Sequence, residues 1–504
     1  MMNKKRFLIN GALLTAVGIA MRTVSLLFNA IITRAVGAEG VGLYTVVMTV
    51  YNFAVTFATA GISLTVTRLV AEAIGEKREN DVPRVLTGAV VYSLAFSSLA
   101  TAVLLLGGGT FAEVVLGDPR AAASLRILAP SLIPLSLISV FSGYFVGIRK
   151  VAFNAVTQVF GQVFKICATL WLVIKAAPLA VEDASFMLAV GTTVTEVLCF
   201  ILVFVEFLIE RRRASRARGA AVGTVARTAV PLAVSAYIRQ ALLTVEHVLI
   251  PRCLQRRGDS VSEALSSYGI LHGMALPMIL YPMATLSSFS GLLVPEFAES
   301  SARGDLSAMK RICTRTIDAT LSYATVTAVM LFVFSEELGY VIYGSHSAGY
   351  YIAVLATVVP LMYLDHVTDS ILKGIGEQVY SMWVNITDSL LSIVLVLLLI
   401  PKMGIMGYAI CIIVMEAYNF LLSFLRLRSR IRFGISFAKS ILIPGASALA
   451  ASVLTRSVFI ASGAMSGAAE LAMLLVFALA ATVGIYNILR LLGFCIQKVR
   501  MRII

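Results

Sequence analysis

GLYTVVMTVYNFAVTFATAGISLTVTRLVAE, residues 42–72, decides the fold when it is set beside SYGILHGMALPMILYPMATLSSFSGLLVPEFAE, residues 267–299. Tyr44 pairs with Tyr268 and Glu72 with Glu296, both at an offset of 224 residues. Further along, Pro134 pairs with Pro360 and Gly147 with Gly374, at offsets of 226 and 227. A near-constant offset across four apolar runs marks an internal duplication. Each copy spans six runs, an even number, so the halves share one orientation. They form a parallel repeat about an axis along the membrane normal.

The runs themselves lie at about 7–33, 41–70, 85–107, 124–147, 151–175, 185–209, 224–250, 268–295, 310–335, 348–373, 378–400, 405–427, 436–460 and 467–492. A span needs about 20 apolar residues, so the pattern predicts an all-α polytopic membrane protein of about 14 helices. The expected organisation is an N-lobe at 1–210, a basic linker at 211–223, a C-lobe at 224–430, and two further helices with a tail at 431–504. Composition agrees: 59% of the 504 residues are hydrophobic and 13% charged, against about half and a quarter in soluble domains.

Net charge is +14, which in a soluble protein would point to nucleic acid. Here the basic clusters sit in short loops such as GEKRENDVPR, GIRK, ERRRASRARG and RLRSRIR. With a cytoplasmic N-terminus, about 28 of the 41 Lys and Arg fall on the inner side and about 9 on the outer. The charge therefore reads as positive-inside topology with both termini cytoplasmic, and no nucleic-acid partner is expected. The outer arginines of RCLQRRGD run against the trend. The six cysteines are scattered without CxxC, so they read as small hydrophobes. The basic, apolar N-terminus resembles a signal peptide, but Arg22 interrupts it and the pattern resumes to Ile32, so it reads as the first span.

No HExxH, GxSxG, P-loop or ATP-binding domain is present, nor a selectivity-filter pattern. An enzyme or channel is not expected, and duplicated bundles work by alternating access. Function should lie with ionisable groups inside the spans, which face a protein interior, a partner or water. These are Arg22, Lys165, Glu196, Arg239, Glu246, His247, His272, Asp318, Asp365, His366, Asp369, Asp388 and Glu416.

Arg22 and Arg239 lie in the first span of each half. Facing one cavity, their planar forks suit phosphate oxygens, with Lys165 as a further anion contact. The alternative is that each pairs with a carboxylate and fixes packing. In RQALLTVEHVLIPR, residues 239–252, Arg239 and Glu246 are two turns apart on one face, too far to neutralise each other. Glu246 could meet Asn385 and Asp388, which are i and i+3 on span 11, in a proton or Na+ site. Those residues could equally make interhelical hydrogen bonds. Asp365 and Asp369, i and i+4 beside His366, read as a proton relay or a solvated face. His272 reads as a packing histidine, and Arg68 and Lys439 as snorkelling cations.

These features resemble the MOP exporter superfamily. RAVGAEGVGLYTVVMTVYNF and TAGISLTVTRLVAE are similar to the first two spans of its SpoVB-type members, and VEHVLIPRCL to the start of their second half. The resemblance covers essentially the whole chain. It implies a flippase for a lipid-linked saccharide, with a cationic cavity between lobes and a tail groove along spans 13–14. It places Arg22 at a functional arginine of the MurJ-type flippases, and Glu246, Asn385 and Asp388 near their sodium site. Phe28 and Asn29 stand where that type carries Arg and Asp, and Val55 or Thr56 replaces a second-span arginine, so the headgroup contacts would include Asn29 and differ from that type. The implied partners are a lipid-linked saccharide and membrane lipid in a bacterial cytoplasmic membrane. The implied coupling ion is Na+ or H+, with no cofactor. The alternative is a MATE-like cation-coupled drug antiporter, which cavity arginines would disfavour by repelling a cationic drug.

Overall fold

A computed structural model describes residues 4–76, 78–148, 150–176, 180–210, 221–461 and 470–486. Most of the basic linker, and part of spans 13–14 with the tail, lie outside these residues. The described chain is helical: α1 Lys4–Thr59, α2 Ile62–Gly75, α3 Val82–Thr110, α4 Ala121–Leu128, α5 Leu132–Gly147, α6 Val151–Ala176, α7 Val181–Glu210 and α8 Val222–Arg257. Then come α9 Val261–Tyr268, α10 Leu276–Leu280, α11 Met283–Ala302, α12 Leu306–Val333, α13 Ser335–Glu337, α14 His346–Ala356, α15 Val359–Gly374, α16 Gln378–Met403, α17 Ile405–Arg430, α18 Ile443–Ala461 and α19 Glu470–Tyr486.

Among the described residues, nine helices are long and apolar enough to cross a membrane, or eleven if two bent pairs each count once. The expected fourteen differ from that number for local reasons. Met21–Gly75 counts as one stretch of 55 residues, about 80 Å at 1.5 Å per residue, far beyond a ~30 Å hydrocarbon core. Gly37, at φ 77° and ψ 172°, breaks α1 where only glycine is at ease, so spans 1 and 2 lie on either side of it. Expected span 8 is not one helix. A π-helical stretch, Gly269–Ala275, leads to α10, and the chain turns at Tyr281 and Pro282 before α11. Expected span 10 bends by 57° between α14 and α15, just ahead of Pro360, which lacks the N–H a continuous helix needs.

The chain divides into two compact units: Ala35–Gly269 with Val396–Lys402, and Met1–Arg34 with Ile270–Leu395 and Met403–Ile504. They are called here the first-half and second-half units. Their membership crosses the sequence halves. The N-terminal part of α1, with Arg22, groups with the second half, and α8, with Arg239, groups with the first.

Within each unit the duplication is visible in packing. Gly147 of α5 lies against α2, where an added Cβ would sit 3.0 Å from Val70. Its repeat partner Gly374 of α15 lies against α11, 3.0 Å from the carbonyl of Val294 and 2.9 Å from Phe297. Val70 and Val294 are themselves repeat equivalents, so one helix crossing occurs twice. Small residues allow this approach where lipid supplies no hydrophobic drive. Around the first crossing, Ile62, Val66, Val140, Phe145 and Ala229 form a fully buried core. Gly374→Ala should lower stability by about 1–3 kcal/mol through overpacking, read as a fall in the thermal midpoint in detergent. An unchanged midpoint would show the crossing to be loose.

Just beyond each crossing the repeat carries a clamp of opposite sign. Lys150 pairs with Glu210 at the end of α7, at 2.6 Å. Glu377, 227 residues on, is gripped by Arg426 at 2.8 Å and Arg430 at 2.6 Å, and Arg426 lies over the Tyr380 ring. The hydrogen bonds from Arg426, with the charges of both arginines, hold the Glu377 carboxyl below the usual glutamate range. A depressed carboxyl contributes stability above its unfolded value of about 4.3 and loses it as pH falls through its folded value. Glu377→Gln should therefore lower the thermal midpoint at pH 7, and the gap from wild type should close toward pH 3. A gap independent of pH would contradict the clamp.

Candidate functional site

Three consecutive helices of the second-half unit bring carboxyl groups together. α15 carries Asp365, α16 carries Asp388 and α17 carries Glu416. Glu416 lies within the electrostatic reach of both aspartates, and Asp365 within that of Asp388. On α17, Glu416, Asn419 and Ser423 recur at i, i+3 and i+7, so they share a face. Ser423 lies beside Asp365, while Asp365 Oδ1 and Asn419 Oδ1 are buried with no hydrogen-bond partner among the described residues. His366 Nε2, beside Asp365, is likewise buried and unbonded. The Tyr418 hydroxyl donates to Thr387 Oγ1 at 3.1 Å, tying α17 to α16.

Three carboxyl groups in one another's field, within a membrane-spanning bundle, resist being charged all at once, which favours the uptake of protons. The neighbouring lysine does not supply this directly. Lys373 Nζ lies 2.5 Å from Asp369, whose carboxylate also accepts from the Ser381 hydroxyl. Asp369 is thus spent on an ion pair one turn from Asp365, rather than standing as an open relay partner.

The other expected ion-site residues are placed differently. Glu246 is on α8 in the first-half unit, whereas Asn385 and Asp388 are on α16 in the second-half unit, so neither unit by itself holds the trio. Asn385 donates its amide to the Ser381 carbonyl at 2.7 Å, one turn back. Glu246 has Tyr268 in its field, and the Tyr268 hydroxyl lies 3.2 Å from His247 Nδ1. Among the described residues no group of three or more His, Cys, Asp or Glu is close enough to hold a metal ion.

The anion candidates separate cleanly. Arg22 and Arg239 are both exposed, and neither makes a hydrogen bond or ion pair with a described residue. Next to Arg22, the Thr23 hydroxyl bonds Tyr281 at 2.8 Å, fixing α1 within its unit. Asn29 instead donates its amide to the Gly273 carbonyl at 2.9 Å, inside the π-helical stretch. That bond ties α1 to the π-helical stretch within the second-half unit. Lys165 of α6 lies within the field of Glu196 on α7, so its charge has an acid in reach. Nearby, Tyr51 bonds Ser131 at 2.5 Å and Tyr44 bonds Thr192 at 3.0 Å.

Asp318 has a structural task. Its Oδ1 accepts from Ser440 Oγ at 2.7 Å and from the Ser436 backbone N–H at 3.4 Å, which docks the start of span 13 on α12. Glu416 carried no assigned role in the sequence reading. Its signal was an acid in mid-span on each of three successive helices.

Two compact helical units, a duplicated crossing and titratable groups within the bundle define a polytopic helical membrane protein. The sequence model of the family described as polysaccharide biosynthesis protein matches residues 7–301, and the chain belongs to that family. It is 26% identical over 427 residues to stage V sporulation protein B of Bacillus subtilis (strain 168), covering 82% of each chain. It is 21% identical over 334 residues to sporulation protein YkvU of the same organism, covering 65% of this chain and 73% of that one. Among solved structures, the lipid II flippase MurJ in an inward closed conformation matches with a TM-score of 0.71 at 14% identity, over 95% of this chain and 98% of that one. An inward-facing multidrug resistance MATE family transporter of the MOP superfamily matches with a TM-score of 0.67 at 14% identity, over 82% and 98%. The fold is that of the MOP superfamily transporters.

Proposed function

We propose that this protein moves a polyprenyl-pyrophosphate-linked saccharide from the inner to the outer leaflet of a bacterial cytoplasmic membrane by alternating access, with both termini cytoplasmic. The observation that carries this reading is a pair of exposed arginines, Arg22 and Arg239, on the leading helices of the two sequence halves, neither paired with a described residue. An uncompensated arginine within a span is costly unless it meets water or an anion, and its fork matches phosphate oxygens. Membership of the polysaccharide biosynthesis family supports a saccharide cargo. The costly part of the lipid is its charged, hydroxylated headgroup, which the arginines would accompany while the tail stays in lipid. Asp365, Asp388 and Glu416 are the proposed coupling site, loading and releasing H+ within one unit.

Binding tests the reading. Purified protein should bind a polyprenyl-pyrophosphate disaccharide at least about tenfold more tightly than the uncharged polyprenol, the contribution expected of one charge-assisted contact. Preference for an organic cation over the pyrophosphate would instead favour a MATE-like antiporter, the reading that the carboxyl cluster alone would suit.

A further inference from the structure

Where span 13 begins, the second-half unit carries a short segment pinned at both ends. Phe433 is buried with its ring centroid 5.5 Å from Phe424 of α17, edge-on. Seven residues on, Ser440 is buried and held by Asp318 of α12. Between these anchors Ile435 and Phe437 are 38% and 60% exposed, and Arg432 and Lys439 flank them, also exposed. Two more cations adjoin. Arg311 and Arg315 are i−7 and i−3 from Asp318, so they share the face of α12 on which the segment docks. That face is open below Asp318, and both arginines are exposed.

None of these four cations makes a hydrogen bond or ion pair with a described residue. The acids of this region are already used. Asp318 holds Ser440 and Ser436, Asp305 accepts from the Ala308 N–H at 2.8 Å to cap α12, and Glu377 is gripped by two arginines. If these cations served only to set topology they would require no apolar company. Instead Arg432 and Lys439 flank an exposed isoleucine and phenylalanine held in place from both sides, and Arg311 and Arg315 lie on the helix to which that segment docks. Apolar side chains at the acyl boundary, ringed by Lys and Arg, are the chemistry of docking on anionic lipid.

We propose that Arg311, Arg315, Arg432 and Lys439, with Ile435 and Phe437, form a binding surface for anionic phospholipid headgroups of the inner leaflet. The surface rests on the proposed orientation of the termini but not on the identity of the transported lipid. It would fix the depth of the span 9 and span 13 entry by drawing the leaflet's phosphates to one face of the unit.

The test is a fluorescence measurement that involves no transport. The full chain carrying Phe437→Trp is reconstituted in phosphatidylcholine vesicles containing equal mole fractions of brominated phosphatidylglycerol or brominated phosphatidylcholine. The signal of the two native tryptophans, Trp171 and Trp383, is subtracted using wild type. Brominated phosphatidylglycerol should quench the reporter about threefold more per lipid, in line with the pull of several surface cations. The excess should vanish on adding Arg311→Gln, Arg315→Gln and Lys439→Gln. If that combined variant does not fold, salt decides: the excess in the reporter chain should fall away by about 0.5 M, where exposed charges are screened. Equal quenching by the two lipids would overturn the proposal, as would an excess indifferent to both charge removal and salt. Excess quenching by a brominated polyprenyl pyrophosphate, with none by phosphatidylglycerol, would assign the surface to the cargo and overturn it too.

Discussion

Arg22→Ala and Arg239→Ala are each expected to slow translocation of a polyprenyl-pyrophosphate-linked saccharide by about tenfold to a hundredfold. A charge-assisted hydrogen bond contributes about 1.5–3 kcal/mol, and each variant removes one such contact. Arg22→Lys and Arg239→Lys should recover part of the rate, because the charge returns without the bidentate fork. The thermal midpoint should barely move in any of the four. Both side chains are exposed and make no described bond, and such substitutions usually change stability by less than about 0.5 kcal/mol. The competing role, helix packing, reverses the pattern: a lowered midpoint with transport intact in the folded fraction. Thermal melting and a translocation assay on the same preparations separate the two.

Glu416→Gln is expected to abolish the response of transport to an imposed pH gradient while headgroup binding stays within about twofold. The substitution keeps size and hydrogen-bonding capacity but removes one titratable group from a cluster of three. Asp388→Asn and Asp365→Asn should act alike, since all three share one field. Asp369→Asn should act differently. It breaks the 2.5 Å pair with Lys373 and leaves a cation without its partner, so stability falls while the gradient response survives. A gradient response that persists in Glu416→Gln would remove the cluster from the coupling cycle.

Much of this was legible in the residues. The offset between Gly147 and Gly374 anticipated a duplicated bundle, and the two glycines prove to be one crossing made twice, against Val70 and Val294. Hydropathy found the helices because a span must be apolar along its length. It did not find their breaks, since Pro282 and Pro360 are apolar residues that interrupt hydrogen bonding without interrupting the run. Nor could it show that the leading helix of each half groups with the other half. Periodicity describes one helix's faces and is silent on which neighbour covers them.

The same limit governs the site. Helical spacing singled out Asp365 and Asp388 and grouped Asp388 with Glu246 and Asn385, but it assigned no role to Glu416. Buried charge drew attention equally to every ionisable group in a span, including those that hold the fold. Asp318 docks Ser440, Asp369 holds Lys373, and Asn29 holds a carbonyl of the π-helical stretch. Arg22 and Arg239 differ in that neither bonds a described residue, a property that spacing along one helix cannot reveal.

The central claim, that this chain carries an anionic lipid headgroup across the bilayer, is tested most directly in proteoliposomes loaded with a fluorescent polyprenyl-pyrophosphate saccharide. Headgroup exposure on the far leaflet would be followed with a membrane-impermeant quencher. The expected result is rapid wild-type translocation that falls to the protein-free rate when Arg22→Ala and Arg239→Ala are combined. Wild-type vesicles that leave the lipid where it started, yet exchange an organic cation across the same membrane, would contradict it.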